Sequence, residues 1–260
     1  MKILKIGLIP LVILSAAALA AVVNEETISV PVSSGDPVEV FNINGDLSIE
    51  EWDSDRVELT YRKTADTEEE LQAVIVRCDT DNGLFCEVEY DEELWEDAFS
   101  GRVDFILKTP ADMELDYHFA LVNGDLIMTG SRGNAELELV NGDLTLADFG
   151  GDANVHIVNG MANISGTPGA ELVEMVSGEI IYSIDEMTDS VDLSSVSGRV
   201  YVKLMSEAMV DVSTISGSIT VDDIFNAVID EQIAGRSTEF GDGPYVIQIE
   251  TVSGDIEIDD

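Results

Sequence analysis

The chain has 260 residues and a one-sided charge: 53 Asp and Glu against 12 Lys and Arg, a formal net charge of −41. The phosphates of nucleic acids and anionic membrane surfaces repel such a chain, which excludes both as partners bound through charge. Because 45% of the residues are hydrophobic, the chain can nevertheless bury a core and fold. Two His and two Cys exclude a four-cysteine zinc site, and we predict no metal site and no cofactor.

The first twenty residues have the order of a secretory signal peptide. Lys2 and Lys5 precede an apolar run over residues 6–17, and Ala18-Leu19-Ala20 is a small-x-small cleavage pattern. The run is shorter than the ~20 residues that a membrane span needs, so an uncleaved anchor is the less favoured alternative. We expect export to the periplasm or the outside of a bacterial cell. Without these twenty residues, 10 basic and 53 acidic residues remain, a charge of −43.

We expect residues 21–260 to form a single domain with two parts. Residues 37–110 are predicted to be an irregular N-terminal part, with strands at 56–62 and 102–108 after a leading strand at 27–31. Residues 111–260 are predicted to be regular. No linker rich in Pro, Gly and Ser is long enough to separate two domains.

The irregular part contains an acidic insertion with the two cysteines. Cys78 and Cys86 flank Asp81-Asn82-Gly83, which suits a three-residue hairpin loop between strands at 71–79 and 84–90. Such a loop places the two cysteines opposite one another, and export favours oxidation, so we predict a disulfide. Two buried free thiols are the alternative, since some cross-strand registers strain a disulfide.

A short sequence motif repeats through the C-terminal half. Val-Asn-Gly-Asp-Leu, or a variant of it, occurs seven times, with steps of 18, 18, 18, 20, 19 and 37 residues from Asn123 onward, and an earlier copy lies at Asn44-Gly45. Apolar and polar side chains alternate before and after each Gly, as in Leu137, Glu138 and Leu139. This period of two indicates two short strands per repeat, joined at the Asn-Gly or Ser-Gly corner.

Stacked at roughly 4.8 Å, such repeats form a parallel β-solenoid in which equal positions lie above one another. We expect the residue before each corner to point inside, the Gly to supply a left-handed φ, and the Asn and Ser to form a ladder that satisfies buried polar groups. A ligand site used once would not need seven copies, so a structural role is favoured. The predicted structural corner ladder comprises Asn123, Gly124, Asn141, Gly142, Asn159, Gly160, Ser177, Gly178, Ser197, Gly198, Ser216, Gly217, Ser253 and Gly254.

These iterated units, the opening Asn-Gly-Asp-Leu followed by Trp52-Asp53, and the closing Val-Ser-Gly-Asp-Ile resemble the bacterial putative-adhesin family of β-strand repeats, also called toastrack-type domains. The resemblance covers about residues 37–260. It implies an exported, right-handed β-solenoid at the cell envelope and supplies no catalytic residues. The chain departs from the regular pattern at 64–100 and at 225–244, where residues 225–232 are predicted to form a short helix over an open end.

The sequence contains few motifs of catalytic chemistry. His118 and His156 lie near no G-x-S-x-G elbow, and the sequence has no Walker loop, dinucleotide fingerprint or H-E-x-x-H motif. Asp125 and Asp143 should lie one repeat apart on the surface, where weak Ca²⁺ binding is possible. We therefore predict a non-enzymatic scaffold or adhesin-like surface for an envelope or extracellular protein or glycan. A polysaccharide-acting enzyme that uses surface carboxylates and a sensory domain of an envelope-stress system are the alternatives.

Overall fold

The computed structural model describes residues 21–91, 99–225, 227–232 and 235–260. The expected signal peptide lies outside the described residues. Within them the chain forms one α-helix, one 3₁₀ turn and nineteen strands in a single, strongly curled sheet, which confirms the all-β prediction. None of the described helices is long and apolar enough to cross a membrane.

The first nine strands and the helix span the N-terminal part and the first regular repeat. They are β1 (Val22–Pro31), β2 (Pro37–Asn44), β3 (Leu47–Trp52), β4 (Arg56–Ala65), α1 (Glu68–Ala73), β5 (Val74–Asp79), β6 (Leu84–Tyr90), β7 (Arg102–Pro110), β8 (Glu114–Asn123) and β9 (Leu126–Thr129). The remaining strands are β10 (Arg132–Asn141), β11 (Leu144–Ala147), β12 (Gly150–Ser165), β13 (Gly169–Ile184), β14 (Val191–Leu204), β15 (Met209–Thr214), β16 (Ile219–Val221), β17 (Asp230–Gln232), β18 (Gly235–Phe240) and β19 (Val246–Asp259).

Equivalent strands of neighbouring repeats pair in parallel. Leu137 of β10 lies opposite Phe119 of β8 on one side and Val155 of β12 on the other. The period of 18 residues is therefore the chain distance between positions that lie side by side in the sheet. Inward-facing side chains such as these three are fully buried, so each repeat adds one layer to a continuous apolar core.

The order of the last repeats differs from the order in the sequence. The C-terminal strand β19 lies between β14 and β15, because Ile247 pairs with Val191 on one side and Val210 on the other. The predicted ladder order, with Ser216 before Ser253, is therefore wrong. The 37-residue step before Ser253 contains the hairpin of β17 and β18, and β18 pairs antiparallel with the free edge of β15.

The predicted helix at 225–232 is also wrong in the described residues. Asp223–Phe225 forms a 3₁₀ turn, and Asp230–Gln232 is strand β17. Asn226 lies outside the described residues. The strand conformation results from antiparallel pairing of Asp230 with Ser237, a tertiary contact that the local pattern does not show.

The N-terminal part joins the regular repeats through the pairing of β2 with β8. The strands predicted at 27–31, 56–62 and 102–108 lie within β1, β4 and β7, which pair antiparallel as β1–β4–β7. The strand predicted at 71–79 begins too early, because residues 71–73 belong to helix α1. Thr67 and Glu70 form a capping box at the start of this helix. This local signal favours a helix, whereas the alternation of apolar and polar residues favours a strand.

The hairpin of β5 and β6 places Cys78 directly opposite Cys86. The two residues form a disulfide, so the pairing predicted from the sequence is present. On its other side β6 pairs in parallel with β2, where Val40 lies opposite Cys86. The disulfide therefore links the outer strand of the hairpin to a strand that is already part of the repeat sheet.

Candidate functional site

The asparagines at the corners form a hydrogen-bonded ladder. Nδ2 of Asn123 donates to Oδ1 of Asn44 at 2.9 Å, Asn141 donates to Asn123 at 3.0 Å, and Asn159 donates to Asn141 at 3.1 Å. Each middle amide thus donates to one neighbour and accepts from the other. Asn44 is not among the ladder residues predicted from the sequence, although the earlier copy of the motif at Asn44-Gly45 points to it.

The ladder lies on the surface. It therefore does not satisfy buried polar groups, contrary to the expectation from the sequence. Asn123, Asn141 and Asn159 are exposed, as are Ser177 and Ser197, which continue the row in register. The backbone of the corner is paired separately, since the N–H of Gly142 donates to the carbonyl oxygen of Asn159 at 3.1 Å. The amide ladder therefore adds side-chain bonds to a corner whose backbone is already paired.

Close approach of the backbones explains the corner glycines. A Cβ atom at Gly142 would lie 1.9 Å from the carbonyl oxygen of Gly124, and one at Gly160 would lie 1.9 Å from that of Gly142. The expected left-handed φ is present at Gly160, with φ +150°, but Gly142 lies outside that region. The corner thus requires glycine because a neighbouring carbonyl occupies the space of a side chain.

The aspartates after the glycines also serve the stack. Oδ1 of Asp46 accepts the backbone N–H of Asp125 at 3.0 Å, Asp125 accepts that of Asp143 at 2.9 Å, and Asp143 accepts that of Met161 at 2.9 Å. One oxygen of each carboxylate is therefore engaged by the next repeat. Weak Ca²⁺ binding at Asp125 and Asp143 stays a prediction.

The residue before each corner points outward, so its predicted inward position is wrong. Successive residues of a strand point to opposite sides, and Leu139 already takes the inward position, which turns Val140 to the outside. The exposed fraction of these residues runs from 39% at Val140 to 62% at Ile215. We call this set the aliphatic row; in stack order it comprises Val122, Val140, Val158, Val176, Val196, Val252 and Ile215.

An open groove of about 370 Å³ follows the middle of the aliphatic row. Its second side is the next outward-facing row of the same strands, which we call the acidic wall and which comprises Glu138, His156, Glu174 and Ser194. Backbone over the buried Leu139, Ile157 and Met175 lies between the two rows. The groove runs across β10, β12, β13 and β14, so it extends along the stack and not along a strand.

The acidic wall has a negative electrostatic character. His156 Nδ1 lies 3.0 Å from Glu174 Oε2, within hydrogen-bond distance, and both side chains are exposed. Asp192, in the neighbouring row, has a raised pKa because it is partly desolvated and because Glu250 and Glu174 are close. Glu174 and Glu250 thus add negative charge at this side of the groove, and no Lys or Arg is among the groove residues named above.

A second cluster lies beside the groove. Ligand atoms of His118, Glu136 and Glu138 all fall within 4.8 Å of one another, and the His118 ring packs edge-on against Phe41 at 4.9 Å between centroids. One imidazole and two carboxylates suit a divalent metal ion. The cluster is not among the sites predicted from the sequence. The signal that points to it is the period of 18 residues, which puts Glu136 next to His118.

The chain was compared with the sequence patterns of known protein families. Residues 22–259 match the Toastrack DUF4097 family. The chain belongs to this family. The resemblance that the repeats suggested is thereby confirmed.

Solved structures similar to this toastrack chain share little sequence with it. A putative adhesin from Bacteroides fragilis is 12% identical, with a TM-score of 0.46 over 90% of this chain and 97% of that chain. A putative cell adhesion protein from Clostridium sporogenes is 12% identical, with a TM-score of 0.40 over 91% and 99%. A putative lipid binding protein from Parabacteroides distasonis is 11% identical, with a TM-score of 0.29 over 90% and 96%. No curated protein matches the chain.

Proposed function

We propose that this toastrack chain is an exported cell-envelope protein that acts as a non-catalytic, adhesin-like binding surface. Residues 1–20 are its cleaved signal peptide, and residues 21–260 form one domain, a right-handed parallel β-solenoid. The repeated parallel registers support the solenoid. The observation on which the proposal depends is the aliphatic row.

Seven aliphatic side chains in one row at the surface require an explanation. Single exposed apolar residues are ordinary, but a contiguous apolar strip with a polar border is typical of a binding site. The strip is not needed for the core, because Leu139 and its equivalents already fill the inward positions. Its one-per-repeat spacing also gives an extended contact surface along the stack, as other stacked-repeat proteins use for binding.

The polar residues near the strip support a non-catalytic role. The corner Asn side chains bond to one another, and the Asp carboxylates bond to the backbone of the next repeat. These groups thus have structural partners. A glycosidase instead needs two opposed carboxylates with separated roles, one of which is held protonated.

The test compares two variants of the chain from Ala21 onward. Val158→Ser with Val176→Ser removes the centre of the aliphatic row, and Ile127→Ser removes an equally exposed aliphatic side chain on β9. We expect adsorption of the labelled protein to bacterial envelope preparations to fall for the first variant and to persist for the second. Equal adsorption of all three proteins would overturn the proposed surface. Hydrolysis of envelope polysaccharide by the purified chain would overturn the non-catalytic role.

Export has its own measurement. The N-terminus of the protein isolated from the periplasm or the medium should be Ala21, within about two residues of the Ala18-Leu19-Ala20 pattern. Recovery of the chain with Met1 intact from the membrane fraction would refute the signal peptide.

A further inference from the structure

We propose that the groove between the aliphatic row and the acidic wall binds a cationic amphipathic peptide helix. This inference deepens the proposed function, on which it rests, by naming the class of partner. The apolar face of the helix would lie on Val140, Val158, Val176 and Val196, and its basic side chains would face Glu138 and Glu174.

The spacing of the valines suits a helix. Neighbouring strands of a sheet lie ~4.8 Å apart, so the four valines span roughly 14 Å. An α-helix has a pitch of 5.4 Å, so a helix that lies along the stack can place one apolar side chain per turn on each valine. The helix pitch exceeds the strand spacing by about 0.6 Å per repeat. About ten residues of helix therefore cover the row from Val140 to Val196. An extended peptide with a period of about 6.8 Å on one face matches this spacing less well.

The second side of the groove requires positive charge. Glu138 and Glu174 are exposed, and Glu250 continues the same row beyond Ser194. Arg199, on β14, lies past the corner and is already paired with Glu179 and Glu257. The groove therefore places the carboxylates of Glu138 and Glu174, whose close charged or polar partners are the imidazoles of His118 and His156, beside an apolar row. This arrangement complements a helix with one basic and one apolar face.

Other occupants fit the groove less well. A second copy of the chain would bring two surfaces of the same negative sign together, since the chain from Ala21 onward has 53 acidic and 10 basic residues. Fatty acids and anionic lipids would face the same repulsion from Glu138 and Glu174. A glycan typically stacks on aromatic rings, whereas the groove is lined by aliphatic side chains and one imidazole.

The test uses a defined probe, a fluorescent 14-residue peptide of Leu and Lys arranged so that one helical face is apolar and the other basic. Its binding to the chain from Ala21 onward is followed by anisotropy, and its helix content by circular dichroism. We expect binding with a gain of helix. A peptide of the same composition in scrambled order, and one with every Lys replaced by Glu, should bind at least about tenfold more weakly.

Two variants of the protein test the two sides of the groove. Glu138→Gln with Glu174→Gln, and Val158→Ser with Val176→Ser, should each weaken binding about tenfold. The matched controls are Asp185→Asn with Glu186→Gln, which removes equal charge from the exposed loop after β13, and Ile127→Ser. These controls should bind as the wild type does. Unchanged circular dichroism spectra and melting temperatures establish that each variant is folded.

Three results would overturn the inference. Equal loss of binding in the Asp185→Asn, Glu186→Gln control would mean that overall charge attracts the peptide. Equal binding of the scrambled peptide would mean that no helix is recognised. Dimerisation that Val158→Ser with Val176→Ser abolishes would assign the groove to a second copy. If the valine variant loses envelope adsorption but retains peptide binding, the proposed function stands and the helix inference fails. If the variant retains envelope adsorption but loses peptide binding, the groove binds the helix and the proposed adhesin-like function fails.

Discussion

Asn141 donates a hydrogen bond of 3.0 Å to Asn123, which occupies the same position one repeat earlier in the chain. The bond joins residues 18 positions apart in the chain. The same bond recurs on both sides, since Asn123 donates to Asn44 and Asn159 donates to Asn141. The first four repeats of the stack are thus connected at their corner by a continuous row of amides. Ser177 and Ser197 follow in the same register with shorter side chains.

Asn141→Ala removes two bonds of this row, the one to Asn123 and the one from Asn159. Because the amides are exposed and water replaces part of each bond, we expect the free energy of unfolding to fall by about 1 kcal/mol. Urea denaturation followed by circular dichroism measures the change. Thr145→Ala, on the strand after the corner, is the control and should cost less than ~0.5 kcal/mol. Equal costs would show that the amide ladder does not stabilise the stack.

Gly142→Ala tests why glycine stands at the corner. The new Cβ would lie 1.9 Å from the carbonyl oxygen of Gly124, so neighbouring repeats must separate, and we expect a loss of about 3 kcal/mol. The comparison is Gly35→Ala, where φ is +82° but no atom lies within 4 Å of the Cβ position. Backbone strain alone should cost about 1 kcal/mol there. A larger loss at Gly35 than at Gly142, measured by thermal melts, would contradict the close-approach explanation.

Replacing both cysteines, as Cys78→Ser with Cys86→Ser, should lower the free energy of unfolding by about 2 kcal/mol. The disulfide closes a short loop, and its loss gives the unfolded chain more freedom. Urea denaturation of the wild type with and without reductant provides the control, since reduction should reproduce the effect of the double variant. An unchanged midpoint on reduction, with both thiols then alkylated, would refute the stabilising role.

Asp192→Asn tests the negative field beside the acidic wall. Partial desolvation and the charges of Glu250 and Glu174 raise the pKa of Asp192 above its ordinary value of 3.8. Between that value and the raised one, the folded state binds more protons than the unfolded state, so stability falls as pH rises through this window. The folded state keeps this penalty at neutral pH.

The variant should therefore be more stable than the wild type at pH 7, by about 0.5 kcal/mol, the size of a like-charge cross-strand pair. Below the ordinary pKa the two proteins should be equally stable, because Asp192 is then protonated in both states. Asp185→Asn removes the same charge from an exposed loop and controls for overall charge. If the variant exceeds the wild type in stability by the same amount at pH 7 and below the ordinary pKa, titration of Asp192 is not the source of the difference.

Local patterns identified the strands but not every boundary. Alternation of apolar and polar residues marks a strand wherever one face is buried, which is why Leu137 and Leu139 were placed inside correctly. The same reasoning failed at residues 71–73, where the capping box of Thr67 and Glu70 starts a helix in an otherwise alternating segment. It also failed at Val140. Leu139 and Val140 are successive apolar residues that the sequence predicts to point inside, but a strand can turn only one of two neighbours inward.

The sequence by itself determined the all-β class, the 18-residue period, the corner residues and the Cys78–Cys86 pair, because each depends on residue spacing within a short stretch of chain. Tertiary structure alone decided that β19 lies between β14 and β15, that the aliphatic row faces a groove, and that His118 meets Glu136. A period states which positions are equivalent, whereas the backbone hydrogen bonds between distant strands determine which equivalent positions become neighbours.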